Sequence, residues 1–130
     1  MVVRRSPPTS PAKPGGPPAS PAPPIMKEVD FLGTSLKDLK EFPDEARQEA
    51  GFQLDQVQRG REPDSWKPMS TIGPGVMEIK IKEASGEFRV IYAAKYDDVV
   101  YVLHCFQKKT QRTSSRDKEL AKARYKEIGR

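Results

Sequence analysis

The chain holds one cysteine and one histidine, the adjacent His104 and Cys105. One thiol cannot build a disulfide framework, and a single imidazole with no paired cysteines cannot assemble a Cys/His metal site. No metal or cofactor is therefore expected. Long apolar runs are missing too. None approaches the roughly 18 residues of a membrane span, and the N-terminus lacks the apolar core of roughly 7–15 residues that a secretory signal carries. The expectation is a cytoplasmic protein with no membrane partner. Glycines do not compensate with a phosphate loop, because "IGPG" at 72–75 lacks the Lys-Ser/Thr that such a loop needs.

What is present is charge and proline. The 130 residues are 32% charged and 35% hydrophobic, with a net charge of +5 and 13 prolines. Nine of those prolines lie in residues 1–25, where no large apolar residue occurs between Val3 and Ile25. Such a segment cannot bury enough surface to offset its ordering entropy, so it is expected to be a disordered, partly polyproline-II tail. It reads as a solvated extension, with translation properly starting at Met26, or as a docking peptide for an SH3-like partner. Residues 26–130 form the one expected domain.

From Met26 onward, "KEVDFLG" alternates as a short strand. Thr34 or Ser35 caps a helix with Leu36, Leu39 and Phe42 at helical spacing, and Pro43 interrupts it. Pro43 then opens a second helix, on which Ala46, Ala50, Leu54 and Val57 form one stripe, closed by Gly60. "REPDSWKPMSTIGPG" reads as a loop, with Trp66 either anchored on the core or offered to a base. The period then changes to two. "VMEIKIK", "FRVIYAAK" and "VVYVLHCFQK" form an antiparallel meander, with "EASGE" and "YDD" as turns. Ser114 or Ser115 caps a last helix running to Ile128, with Leu120, Ala123 and Ile128 inward. The expectation is an α+β domain with helices against one face of a small sheet.

Alternation places Glu78, Lys80 and Lys82 on one face and Ile79 and Ile81 on the other. In the third meander strand His104, Phe106 and Lys108 share a side, opposite Leu103 and Cys105. If the registers agree, the open face gathers Lys80, Lys82, Arg89, His104, Gln107 or Lys108, and Lys109. Cations so close repel one another, so an anion such as a phosphate chain is the expected occupant, with Tyr92 and Phe106 as rings for a base. The charge is local: residues 104–130 hold nine Lys/Arg against three Asp/Glu, whereas 26–103 hold eleven against fifteen. The competing reading is a solvated strand end with edge-protecting lysines.

The stretch "MEIKIKEASGEFRVIYAAKYDDVVYVLHCFQKKTQRT", its lysine-rich helix and the upstream "VDFLGTSLKDLKEFPDEARQEAGFQLDQVQRG" and "WKPM" resemble the phage-related, HigB-like branch of the RelE/ParE toxin superfamily. The resemblance runs from Met26 to Ile128 and leaves the tail unmatched. It implies a RelE-like fold. It also implies a toxin of a type II toxin–antitoxin pair, silenced by a helix-turn-helix antitoxin, that cuts mRNA on the ribosome without metal through attack of a ribose 2′-hydroxyl.

Carried onto this chain, the resemblance makes Lys80, Lys82, Arg89, Lys108 and Lys109 the catalytic and phosphate-clamping cations, with His104 or a lysine moving the proton. Tyr92, Phe106, Gln107, Arg112, Lys118, Lys122 and Lys126 are the residues expected to bind RNA. No clear equivalent of the C-terminal tyrosine of RelE is present, and Tyr92 and Tyr125 are the candidates to replace it. The other outcomes within this reading are a ParE-type gyrase inhibitor and a non-catalytic module that binds RNA or an antitoxin.

Overall fold

The protein is seen here as a computed structural model that describes residues 26–94 and 98–128. The proline-rich tail, and most of the "YDD" turn, lie outside the described residues. The chain order is β1 (Glu28–Phe31), α1 (Ser35–Lys40), α2 (Asp44–Gln58), β2 (Trp66–Pro68), β3 (Val76–Glu83), β4 (Gly86–Ala93), β5 (Val99–Lys108) and α3 (Ser115–Tyr125). This is the α+β layout expected, with one more strand. The additional strand, β2, comes from the presumed loop: three residues pair antiparallel with β3, and Pro68 is tolerated because β2 is an edge.

The sheet order is β1-β5-β4-β3-β2. The meander β3–β4–β5 is antiparallel as read, while β1 pairs parallel with β5. The hairpin turn is tighter than "EASGE". Glu83 pairs with Gly86, whose φ of +139° favours glycine, and Glu87 already belongs to β4.

Two clusters divide the core, one on each face of the sheet. On the first, Ala46, Ala50, Leu54 and Val57 of α2 meet Ile79, Ile81, Phe88, Val90 and Tyr92, joined by Leu39 and Phe42. Each such large side chain, fully buried, contributes roughly 1.5–3 kcal/mol. On the second, Ala121 of α3 packs with Ile91, Ala93 and Leu103. The helices thus cover both faces, contrary to the single covered face expected.

The inward residues of the short helices also differ from expectation. Leu36 is exposed and the small Ser35 is buried instead, because its hydroxyl donates to the Val102 carbonyl at 3.2 Å. α3 ends at Tyr125, short of Ile128, and turns Ala121 and Arg124 inward while Ala123 is exposed and Leu120 half-buried. Arg124 replaces an apolar anchor. Its Nη1 donates to the Leu103 carbonyl at 2.8 Å and its Nη2 to Thr34 Oγ1 at 3.1 Å.

One irregularity shapes the site. His104 faces Ile91 while Val102 faces Tyr92, so Leu103 is an extra residue in β5. Val102 and Cys105 belong to the first cluster and Leu103 to the second. Leu103 and His104 therefore both turn toward α3, where strict alternation had placed Leu103 with Cys105. Such bulges re-aim side chains.

Candidate nucleic-acid interface

Register decides which side chains share the second face. Lys82 pairs with Glu87, and Glu87 with Lys108. The next row is Lys80, Arg89 and Phe106, and the next Glu78, Ile91 and His104. Lys67 of β2 stands opposite Glu78. α3 packs over the Ile91, Ala93 and Leu103 end of this face. The Lys82 and Lys80 rows extend beyond it, and Lys80 and Lys82 are exposed with Lys108 half-buried. Half of one sheet face is thus left open, and it is the half that carries the cations.

The cations are not equivalent. Among the described residues no carboxylate lies within salt-bridge distance of Lys80, Lys82, Lys108, Lys109 or Arg112. Arg89, by contrast, is 5% exposed and flanked by two acids, with its Nε lacking a hydrogen-bond partner. Its Nη2 bonds Glu87 Oε1 at 2.9 Å, its Nη1 donates to the Phe88 carbonyl at 3.1 Å, and its Nε faces Glu78 Oε1 at 3.7 Å.

Glu78 sits beneath this face, 1% exposed. Thr113 Oγ1 donates to its Oε2 at 2.6 Å, and Lys67 Nζ lies 3.8 Å from its Oε1. Thr113 ends the 109–113 loop that carries Lys109 and Arg112, so one buried carboxylate ties the basic loop to the basic floor. A buried charge of this kind is tolerable only with partners.

Sequence reasoning placed Glu78 on the correct face yet gave it no task. The available signal was a lone acid in strand alternation with two lysines. Glu87 lies in the stretch expected as a turn and Lys67 in the stretch expected as a loop, where alternation assigns no face.

His104 has a different position from the one expected. It is 5% exposed, its Nε2 lies 2.7 Å from Asp117 Oδ1, and its ring stacks on Phe106 with centroids 4.8 Å apart. Asp117 also accepts from Ser114 Oγ at 2.7 Å and donates its own N–H back to that oxygen, closing the N-terminus of α3. The imidazole therefore fastens α3 to the bulge, and it also lines the hollow shared by Gln107, Lys109 and Arg116.

Tyr92 lies in the other core, 4% exposed, its hydroxyl pushed up to about 12 first by burial and then by Glu62. It cannot serve the cationic face because alternation in β4 turns it to α2. Gln107 likewise follows Cys105 in alternation; its amide donates to the Ser85 carbonyl at 3.3 Å, at the hairpin. Tyr125 bonds the Pro74 carbonyl at 3.0 Å within the "IGPG" loop.

Lys118 is half-buried on α3, Lys122 and Lys126 are exposed there, and Arg112 is exposed in the loop before it. Trp66 is half-buried, opposite Ile79. A cleft of about 480 Å³ beside the hairpin is lined by Lys80, Lys82 and Arg89 together with the acids Glu45, Glu49, Asp64 and Glu87. Among the described residues no cluster of His, Cys, Asp and Glu is suited to hold a metal, and no helix is long and apolar enough to cross a membrane.

The five-stranded α+β sheet that carries this half-open cationic face is a fold that this chain shares with the toxin RelE. Residues 37–126 match the sequence profile of the phage derived protein Gp49-like (DUF891) family, and the chain belongs to that family. A mutant of the Escherichia coli toxin RelE in the free state shares the fold, with a TM-score of 0.51 and 20% identity over 80% of this chain and 99% of that one. The Mycobacterium tuberculosis toxin–antitoxin complex RelBE2 contains a chain that is also 20% identical, over 65% of this chain and 93% of that one, with a TM-score of 0.45. No curated protein matches the chain.

Proposed function

We propose that the protein is the toxin of a type II toxin–antitoxin pair and acts as a metal-independent endoribonuclease on ribosome-bound mRNA, held silent by a helix-turn-helix antitoxin. The observation that carries this reading is the open half-face on which Lys80, Lys82, Arg89 and Lys108 converge from three adjacent strands. Strand-borne cations hold their positions better than loop-borne ones, and what such chemistry needs most is preorganised charge aimed at the phosphorane. RNA lies across the floor, with a base against the exposed edge of Phe106.

The 2′-hydroxyl gives its proton to a lysine amine of the floor and attacks the adjacent phosphorus, and the P–O5′ bond breaks, giving a cyclic phosphate. Lys80, Lys82 and Lys108 stabilise the equatorial oxygens, and an ammonium group can protonate the leaving oxygen. Arg89 clamps a phosphate through its fork. Lys109 at the strand exit is a further phosphate-stabilising cation, and Arg112 on the loop, with Lys118 and Lys122 on α3 and Lys126 at its end, meets ribosomal RNA.

Controlled induction in bacteria tests this. Growth arrest with shortened mRNAs, abolished by Lys80→Ala with Lys82→Ala in a protein that still folds, is the expected result. Arrest with intact mRNAs and altered DNA supercoiling would instead identify a gyrase inhibitor. Unimpaired growth with folded protein present would leave a non-catalytic module.

A further inference from the structure

The cationic floor is already occupied by an anion of the chain itself. Glu87 lies between Lys82 and Lys108 in the cross-strand row, and its Oε1 is 2.9 Å from Arg89 Nη2. Three cations from three strands thus flank one carboxylate, which Arg89 alone contacts. Arg89 and the two lysines hold that carboxylate below the usual range, the Arg89 hydrogen bond being the largest influence.

The other acid near Arg89, Glu78, is 1% exposed and fixed by Thr113, so no ligand can take its place. The Glu87 side chain is 43% exposed and accepts from Arg89 alone among the hydrogen bonds of the described residues, so it can rotate away.

We propose that Glu87 is a built-in counter-anion standing where a backbone phosphate of the RNA binds, so that binding exchanges this carboxylate for phosphate. The inference rests on the cleft reading above and specifies its ligand as a phosphodiester. A carboxylate and a phosphate present similar oxygen acceptors to a guanidinium fork. Substrate must therefore compete with Glu87, and the competition weakens sites that offer only one phosphate. A strand that fills several cationic positions gains more than it loses.

The test is a titration of the full chain with a short single-stranded ribo-oligonucleotide at several salt concentrations. Glu87→Gln, which keeps the shape and removes the charge, should bind about two- to fivefold tighter, the weight of one partly exposed ion pair. Its log–log salt slope should steepen by up to about one unit, because buffer anions now fill the vacated position and leave on binding. Glu87→Thr, at home in a strand, should behave alike, which guards against a residual amide bond to Arg89.

Unchanged or weaker binding by both variants overturns the proposal. Lys80→Ala and Lys108→Ala in the same titration then separate the two ideas: if they weaken binding, the cleft stands without the counter-anion, and if they do not, the cleft falls as well.

Discussion

Replacing Thr113 with valine removes one hydroxyl and little else, since the two side chains have nearly the same shape. Thr113 is 4% exposed and Glu78 1% exposed, and the 2.6 Å hydrogen bond between them is the only one the Glu78 carboxylate receives among the described residues. A hydrogen bond to a charged group contributes about 1.5–3 kcal/mol, and a buried acceptor left alone costs a similar amount. Neither Arg89 at 3.7 Å nor Lys67 at 3.8 Å is close enough to take over without moving.

Thr113→Val should therefore destabilise the fold by about 2 kcal/mol, lowering Tm by about 8–16 °C in a domain of this size. Thr113→Ser, which keeps the donor, should lie close to the parent. Thermal and urea unfolding followed by circular dichroism measure both. A double-mutant cycle with Glu78→Gln should return a coupling of at least about 1 kcal/mol, since the charge that needs the donor is then gone. If Thr113→Val costs under about 0.5 kcal/mol and the cycle shows no coupling, Glu78 is not the tie between loop and floor.

Gly33 has φ +57°, and a Cβ there would clash with the Arg124 guanidinium. Gly33→Ala should cost about 1–2 kcal/mol in backbone strain alone, and more through displacement of Arg124, as read by urea unfolding. Cys105 and Tyr92 are pushed up to about 12, chiefly by burial, from 9.0 and 10.0. Their contribution is full below pH 9 and is lost as pH rises toward 12, so alkaline unfolding should be steep, and Cys105→Ala should flatten its onset near pH 9. The native thiol should resist alkylation until the protein unfolds. Lys118→Ala and Lys122→Ala should each reduce the salt slope of ribosome binding by roughly one unit and leave single-turnover cleavage unchanged. Lys82→Ala should lower cleavage by roughly 10²-fold with little change in ribosome binding, which the helix lysines dominate, and matching behaviour of the two groups in both assays would refute the division between floor and helix.

The parts of the fold that local pattern specifies were legible in the sequence. The stripe of Ala46, Ala50, Leu54 and Val57 is buried as the 3.6 period requires, and Lys80 and Lys82 alternate away from Ile79 and Ile81 as the strand period requires. What alternation could not reveal was the extra residue at Leu103, which shifts every later side chain of β5 relative to the earlier ones. Nor could it show that α3 lies on the second face. That helix is anchored by Arg124 and Ala121, and a stripe search rewards larger apolar residues. The cation set was read well by position and less well by state. Arg89 was expected to be free and is buried between two acids, while His104 was expected in the open and lies under α3.

That difference in state is where the acids of the cationic face acquire meaning. Lys67, Lys80, Lys82, Arg89 and Lys108 share one side of four adjacent strands, and without counter-charge their repulsion would oppose sheet formation. Two glutamates supply it from different depths. Glu78 is held under the surface by Thr113 and stays in any bound state, so it can orient Arg89 without competing for ligand. Glu87 lies at the surface with its side chain 43% exposed, and balances Arg89 only while nothing better is present. Depth therefore separates a structural acid from an exchangeable one. The face is stable when empty because both carboxylates are in place, and it becomes a phosphate site when the shallower one turns out.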